Sequence, residues 1–166
     1  MRVLGIDPGS RFTGFGVVEQ SGRRLVEVFS GRVSLTEKEL PPRLQVIYRE
    51  LSTIIQQYRP DVVAVEQVFV AKNPRAALTL GHARGAAICA AVNHNVDVVE
   101  YSALQIKKAV VGRGRAAKEQ VQHMVRVLLD SQTDFSTDAA DALACAICHI
   151  HSSALQNRLQ TGSLST

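Results

Sequence analysis

The first 35 residues of the chain contain three short runs of apolar and β-branched residues. They read RVLGID, FTGFGVVEQ and RLVEVFSGRVSL. Pro8 and Gly9 follow the first run and suit the two central positions of a type II turn, while SGR joins the second run to the third as a short hairpin turn. The pattern predicts three strands in an antiparallel meander, with Asp7 at the carboxyl end of the first.

The pattern then changes to a helical period. In PPRLQVIYRELSTIIQQYRP, apolar residues recur at spacings of three and four, and prolines bound the segment at both ends. This is typical of an amphipathic helix. The next segment, DVVAVEQ, is continuously apolar and predicts a strand that is covered on both faces. It ends, like the first strand, in an acid, Glu66.

Helices and strands alternate through the second half of the chain. Residues 74–93 are apolar around most of a helix circumference, so this helix should be covered on more than one side, inside the fold or against a partner. VDVVEY predicts a further buried strand, and a basic loop, GRGRAA, separates the helices SALQIKKAVV and KEQVQHMVRVLLD. A last helix should begin near Ser136 or Thr137, both good N-caps, and run to about residue 152.

This order of elements predicts an α/β fold in which a sheet of mixed pairing carries helices on its faces. The chain has 166 residues, the length of one domain with a proper core. We expect that domain to occupy residues 1–153, with residues 154–166 as a flexible polar tail.

Composition and charge narrow the function only slightly. Apolar residues make up 46% of the chain and charged residues 20%, which argues against both disorder and a disulfide scaffold. The net charge of +4 slightly favours a polyanionic partner such as nucleic acid. The three cysteines suit reduced thiols, and no segment resembles a signal peptide or a membrane span, so we expect a cytoplasmic protein without a membrane partner.

The glycines near the amino end do not form a phosphate loop. Gly9 and Gly14 have the spacing of a Walker loop, but Phe15 and Gly16 stand where that motif requires Lys and Ser or Thr. GFGVVE and GRGRAA resemble parts of a dinucleotide-binding motif, but neither follows a strand and opens a helix as that motif requires. We interpret these glycines as turns or close backbone contacts.

Cys145, Cys148 and His149 match the C-x-x-C-H motif of covalent haem attachment. That motif belongs to exported proteins, whereas here it lies within an apolar helix. A zinc site is also disfavoured, because His149 and His151 point to different helix faces and no second Cys/His pair occurs. We interpret the two thiols as core packing.

Four acids are better candidates for chemistry. Asp7 and Glu66 end apolar strands, and sites in open α/β sheets collect at the carboxyl ends of strands. Asp138 and Asp141 are three residues apart at the start of the last helix, so they share a face. Each could be an ordinary loop acid or a helix-dipole partner. If the helix start lies at the same sheet edge, however, four carboxylates converge, and magnesium would neutralise them.

Several longer stretches resemble one family closely. GIDPGSRFTGFGVV, VEQVFVAKNPRAALTLGHARGAA, KKAVVGRGRAAKEQVQHMV and DAADALACAICH occur in the order and spacing of the RuvC family of Holliday-junction resolvases, from about residue 2 to residue 152. The resemblance implies an RNase H-like fold with a mixed five-stranded sheet flanked by helices. It also implies a magnesium-dependent crossover junction endodeoxyribonuclease of recombination and repair, which acts as a homodimer on four-way junction DNA alongside the RuvA and RuvB branch-migration proteins.

The resemblance also assigns roles to individual residues. Asp7, Glu66, Asp138 and Asp141 would be the catalytic carboxylates that hold two Mg²⁺ ions, with Mn²⁺ able to substitute, and hydrolysis would leave 5′-phosphate and 3′-hydroxyl ends. Phe69 would stack on bases at the opened junction centre, Lys107 and Lys118 would lie near the active site, and the Ala-rich helix over residues 74–93 would form the two-fold interface. Arg113 and Arg115 suit phosphate contacts, and we count Lys72 and Lys108 as DNA-binding residues too.

Two other functions remain open from the sequence. GIDPG is also similar to a phosphate turn of actin-like and sugar-kinase phosphotransferases, although these enclose ATP between two such domains and this chain supplies one. A module that binds branched DNA without cutting it is the other alternative. Acids at all four positions argue against it, since binding alone does not need them.

Overall fold

The computed structural model describes residues 1–67 and 73–162. Phe69 and Lys72 lie outside these residues. The described elements are the strands β1 (Arg2–Asp7), β2 (Phe12–Ser21), β3 (Arg24–Ser34), β4 (Val62–Glu66) and β5 (Asp97–Tyr101), and the helices α1 (Leu40–Tyr58), α2 (Pro74–Asn93), α3 (Ala103–Val111), α4 (Lys118–Leu128) and α5 (Thr137–Gly162).

The strands form one mixed sheet in the order β3-β2-β1-β4-β5. β1, β2 and β3 pair antiparallel as a meander, and β4 and β5 join parallel to β1 and to each other. Helices cover both faces: α1 and α2 pack on one, and α3, α4 and α5 on the other. The prediction of an α/β fold with a mixed five-stranded sheet flanked by helices is confirmed.

The α5 helix lies directly against the middle of the sheet. Along β1, Leu4 and Ile6 belong to the core under α1 and α2, whereas Val3 belongs to the core around α5. A Cβ atom placed on Gly5 would lie 1.9 Å from the carbonyl oxygen of Ala142 in α5. Glycine is therefore required here because any side chain would push the helix off the sheet.

The α2 helix is covered on one side within the chain. Four alanines on that side are buried, namely Ala83, Ala87, Ala90 and Ala91. On the rest of its surface, Leu78 and Val92 are 62% and 60% exposed. The predicted helix is thus confirmed, and part of its apolar surface remains open.

Two local predictions were wrong. A type II turn would place Gly9 at positive φ, but among the described glycines only Gly22 and Gly112 have positive φ. The last helix also does not end near residue 152 but continues to Gly162, so residues 154–162 are helical rather than a tail. Polar side chains at its expected end bond within the helix, as when Ser152 donates to the Cys148 carbonyl, and His151 Nδ1 lies 3.0 Å from the Ala109 carbonyl oxygen of α3. Such contacts let a helix continue through polar sequence.

No helix within the described residues has the length and apolar character needed to cross a membrane.

Candidate active site

Asp7 and Glu66 lie side by side at the end of two neighbouring strands. β1 and β4 are parallel, and the register that pairs Ile6 with Val65 continues into Asp7 and Glu66. Side chains alternate between the faces of a strand. Asp7 therefore follows Val3 and Gly5 on the α5 face, and Glu66 follows Ala64 on the same face.

The start of α5 brings two further acids to this edge. Ser136 caps the helix, since its hydroxyl oxygen accepts a hydrogen bond from the Ala139 amide at 3.3 Å. Asp138 lies in the first turn and Asp141 in the second. A Cβ atom on Gly14, the β2 residue paired with Asp7, would lie 2.0 Å from the Asp138 carbonyl oxygen. The close approach of α5 to β2 thus sets Asp138 near Asp7, at the same edge of the sheet as Glu66 and Asp141.

The acids repel one another and are partly shielded from water. Burial, followed by the charges of Glu66 and Asp141, raises the pKa of Asp7 to about 7, and Asp138 adds to the effect. Burial also raises the pKa of Glu66, and Asp141 contributes by repulsion. Asp7 is therefore the carboxylate that interacts with each of the other three.

Two lysines provide positive charge on the α3 and α4 side of these acids. Lys118 is the first residue of α4, and its Nζ lies 2.6 Å from a carboxylate oxygen of Asp141. Burial acts to lower the pKa of Lys118, but the hydrogen bond and charge of Asp141 outweigh it and raise that pKa. Lys107 in α3 is close enough for its charge to oppose the raised pKa values of Glu66 and Asp141.

A third cation, Arg32, was not among the sequence candidates. Its guanidinium Nη1 lies 3.6 Å from a carboxylate oxygen of Asp138 and its Cζ lies 4.1 Å from the centre of the Phe12 ring. A β-bulge near Val17 and Val18 shifts the β2–β3 pairing by one residue, so that Gly14 faces Arg32. Without the bulge, Gly14 would pair with Gly31, and the side chain of Arg32 would lie on the opposite face of the sheet from the acids.

An open cleft of about 240 Å³ adjoins the acids. Its lining combines two of the carboxylates, both lysines and apolar residues of the surrounding helices: Glu66, Ala103, Ile106, Lys107, Lys118, Val121, Asp141 and Ala144. The two ammonium groups in this cleft suit a phosphate-containing substrate, because they can bind its negative charge.

Comparison with known proteins identifies the family. The family model described as crossover junction endodeoxyribonuclease RuvC matches residues 3–149. The RuvC of Trichlorobacter lovleyi is 58% identical over 163 residues, which cover 98% of this chain and 90% of that protein. The chain belongs to the RuvC family.

Solved structures of the family agree with the fold. The structure of Thermus thermophilus RuvC matches with a TM-score of 0.87 and 34% identity, covering 94% of this chain and 97% of that one. A structure of T. thermophilus RuvC in complex with Holliday junction substrate matches with a TM-score of 0.85 and 31% identity, covering 93% and 96% of the two chains.

The C-x-x-C-H residues of α5 form part of the packing beneath the acids. Cys145 and Cys148 are fully buried, and burial raises the pKa of both thiols, that of Cys148 to about 11. The thiols therefore stay protonated and are poor nucleophiles or metal ligands. The His149 Nδ1 lies 2.9 Å from the hydroxyl of Tyr101 on β5, which ties α5 to the edge of the sheet.

The remaining candidates lie farther from the acids. Arg113 and Arg115 are exposed in the loop between α3 and α4, and Gly114 between them contacts Leu104. Lys108 is exposed and lines a separate depression between α3 and the later part of α5. The structure therefore does not bring these three residues to the carboxylates.

The four carboxylates fit divalent cations by their chemistry. Oxygen donors are the ligands that Mg²⁺ and Mn²⁺ prefer. Burial and then the charges of Glu66 and Asp141 raise the pKa of Asp7, although the charge of Lys118 opposes them. Within the described residues, no three His, Cys, Asp or Glu side chains are yet close enough to form a ready-made ligand set. One carboxylate oxygen of Asp141 is paired with the Nζ atom of Lys118.

Proposed function

We propose that this protein resolves four-way (Holliday) DNA junctions by paired symmetric nicks. The observation that carries the proposal is the convergence of Asp7, Glu66, Asp138 and Asp141 at one sheet edge in a chain of the RuvC family. The solved relative that is bound to Holliday junction substrate supports the choice of substrate.

Asp7, Glu66, Asp138 and Asp141 would hold two magnesium ions, with manganese as a substitute. Bound divalent cations supply activation of the attacking water and charge stabilisation at the leaving 3′ oxygen. Asp7 has the central part among the residues, because its carboxylate interacts with each of the others. Hydrolysis in this arrangement yields a 5′-phosphate and a 3′-hydroxyl, which a ligase can rejoin.

Lys107 and Lys118 contribute by binding phosphate. Lys118 starts α4, where a cation is unfavourable unless an anion lies nearby. Asp141 supplies that anion in the structure. A DNA phosphate can take its place when Asp141 binds a cation, and Lys107 lines the same cleft.

The other predicted DNA contacts either lie farther from this centre or fall outside the described residues. Arg113 and Arg115 are exposed on a loop that follows α3, which suits contacts to backbone phosphates regardless of sequence. Lys108 would contact more distant DNA, and Phe69 and Lys72 follow Glu66 in sequence. Phe69 would stack on unpaired bases.

The enzyme would act as a homodimer. Two nicks of matching polarity need two active sites related by symmetry, and the exposed apolar residues Leu78 and Val92 leave α2 with surface for a second copy. RuvA and RuvB remain the proposed partners by family membership.

A cleavage assay tests the function directly. The protein and magnesium are incubated with a synthetic four-way junction and, separately, with linear duplexes made of the same arm sequences. We expect paired nicks in the junction, sealed by DNA ligase, and little cutting of the duplexes. Equal cutting of the duplexes would contradict structure-specific resolution.

The same assay separates the two alternatives. Tight junction binding with no cleavage in magnesium, or in manganese in its place, would favour a module that binds branched DNA without cutting it. Binding and hydrolysis of ATP, measured on the same preparation, would favour a phosphotransferase.

A further inference from the structure

We propose that Arg32 is a DNA-positioning residue that binds a backbone phosphate of the strand being cut, on the β3 side of the carboxylates. The inference rests on the proposed function and adds a substrate contact to it. Arg32 belongs to a row of residues that crosses the sheet at the active site: Arg32 on β3 pairs with Gly14 on β2, and Gly14 pairs with Asp7 on β1.

The guanidinium group of Arg32 is held in place but not saturated. It lies over the Phe12 ring and beside Asp138, and its side chain remains 46% exposed. Its separation of 3.6 Å from Asp138 is longer than a hydrogen bond. Among the described contacts this guanidinium donates no hydrogen bond, although it carries five N–H donors. A planar donor group oriented by an aromatic ring suits bidentate binding of a phosphate.

The positions of the positive charges favour binding of a DNA strand that runs across the four acids. Lys107 and Lys118 lie on the α3 and α4 side of the carboxylates, and Arg32 lies on the β3 side. Strands β1 and β3 are two positions apart, which corresponds to about 10 Å. One DNA strand carries a charge for about every 3.4 Å of rise. A strand whose scissile phosphate lies at the acids therefore has further phosphates within reach of Arg32.

Neutralisation of the Asp138 charge does not by itself explain why the guanidinium group of Arg32 lies at this site. If Asp138 binds a divalent cation, its charge is already balanced, and Arg32 then lies beside excess positive charge. An anion from the substrate relieves this repulsion. The same exchange applies to Lys118 and Asp141, so each aspartate of α5 has a cation that is released towards DNA as the site fills.

Binding measurements with matched variants test the proposal. Arg32→Gln and Arg32→Lys are compared in an Asp7→Asn background, where binding is measured without cutting. Arg24→Gln is the control, because Arg24 lies on the same strand and pairs with Asp130 at 3.5 Å, remote from the acids. We expect Arg32→Gln to weaken junction binding about five- to tenfold, Arg32→Lys to weaken it less, and Arg24→Gln to change it less than about twofold.

Neutral methylphosphonate substitutions along the cut strand then locate the contact. With Arg32 present, one substitution next to the scissile position should weaken binding, and once Arg32→Gln is added to the Asp7→Asn background the same substitution should cost nothing more. In the cleaving enzyme, Arg32→Gln should raise KM more than it lowers kcat, while half-activation by magnesium stays at the same or a lower concentration.

Two results would overturn the proposal. One is junction binding by Arg32→Gln that equals the Arg24→Gln control, with unchanged sensitivity at every phosphate. The other is a cleavage defect that added magnesium fully restores at unchanged KM, because that result confines Arg32 to holding Asp138. Failure of the unsubstituted enzyme to cut junctions would instead contradict the proposed function, and the binding comparison would still decide the phosphate contact.

Discussion

The Nζ atom of Lys118 lies 2.6 Å from a carboxylate oxygen of Asp141. Lys118 begins α4 and Asp141 lies in the second turn of α5, so this ion pair joins the amino ends of two helices across the cleft. Each charge would be unfavourable alone. The cation of Lys118 lies at the start of a helix, where the helix dipole disfavours positive charge, and burial disfavours the ionised carboxylate of Asp141 and raises its pKa. Each makes the position of the other tolerable.

Replacement of this lysine should impair catalysis beyond any structural effect. Lys118→Gln removes a charge that lowers the pKa of Asp141, so that pKa should rise further. Junction cleavage should fall at least about tenfold because a phosphate contact is lost as well. Carboxyl titration by NMR and single-turnover rates check the two effects. Lys38→Gln is the control, because Lys38 is exposed and precedes α1. Equal cleavage rates for the two variants would contradict the role of Lys118 in binding phosphate.

A methyl group on Gly14 should displace the acidic end of α5. Gly14→Ala places a Cβ atom 2.0 Å from the Asp138 carbonyl oxygen, and the resulting shift should lower the free energy of unfolding by about 1–3 kcal/mol. Cleavage should fall too, because Asp138 moves away from Asp7. Urea denaturation measures the first effect.

Gly81→Ala is the matched control for that substitution. Gly81 lies in α2 with nothing within 4 Å of the added atom, so alanine should leave the stability unchanged or raise it by up to about 1 kcal/mol. A Gly14→Ala protein as stable as Gly81→Ala would show that α5 does not depend on the close contact.

The buried carboxylates should make stability depend on pH in an unusual direction. The pKa of Asp7 is about 7 in the folded protein against 3.8 as its ordinary value. Between these values the folded state holds a proton that the unfolded chain has lost, so stability falls as pH rises from about 4 to about 7. In chelating buffer, the Asp7 contribution should change by about 3 kcal/mol between pH 5 and pH 8.

Asp7→Asn isolates this contribution. The variant cannot lose the proton, so its stability relative to the unsubstituted protein should increase over that pH interval, as measured by denaturant unfolding at each pH. A constant difference between the two proteins would contradict the raised pKa.

The two buried thiols should matter for packing alone. Cys145→Ala with Cys148→Ala removes sulfur atoms from the core against the sheet, and should cost about 1 kcal/mol for each site. Metal-dependent junction cleavage should persist in the folded variant, whose stability is followed by thermal melting. Loss of cleavage in a variant that unfolds at its expected temperature would give the thiols a chemical role.

Much of the site was predictable because two acids end buried strands. β1 and β4 are short and apolar, their parallel pairing puts Asp7 and Glu66 in neighbouring positions, and the spacing of Asp138 and Asp141 fixes a shared helix face. These positions follow from the geometry of single strands and helices, so they can be predicted without knowledge of the tertiary contacts. The approach of α5 to the sheet depends on Gly5 and Gly14. The sequence indicated a turn or a close backbone contact at Gly14 and gave no such prediction for Gly5.

Arg32 was missed because its position depends on a bulge. In the hairpin, a one-residue change in register exchanges the faces of all later residues on β3. Nothing in the segment VEVFS marks Val28 as the extra residue. The end of α5 was misplaced for a related reason. Contacts such as that between His151 and the α3 backbone are made in the folded protein and leave no periodic pattern in sequence.

The central claim is that Asp7, Glu66, Asp138 and Asp141 form the cleaving centre, and Asp7→Asn tests it most directly. Asparagine keeps the shape of the side chain but removes the carboxylate that interacts with the other three acids. With a four-way junction and magnesium, we expect binding within about twofold of the unsubstituted protein and cleavage lower by a factor on the order of a thousand or more. Cleavage by the folded variant at the unsubstituted rate would contradict the account.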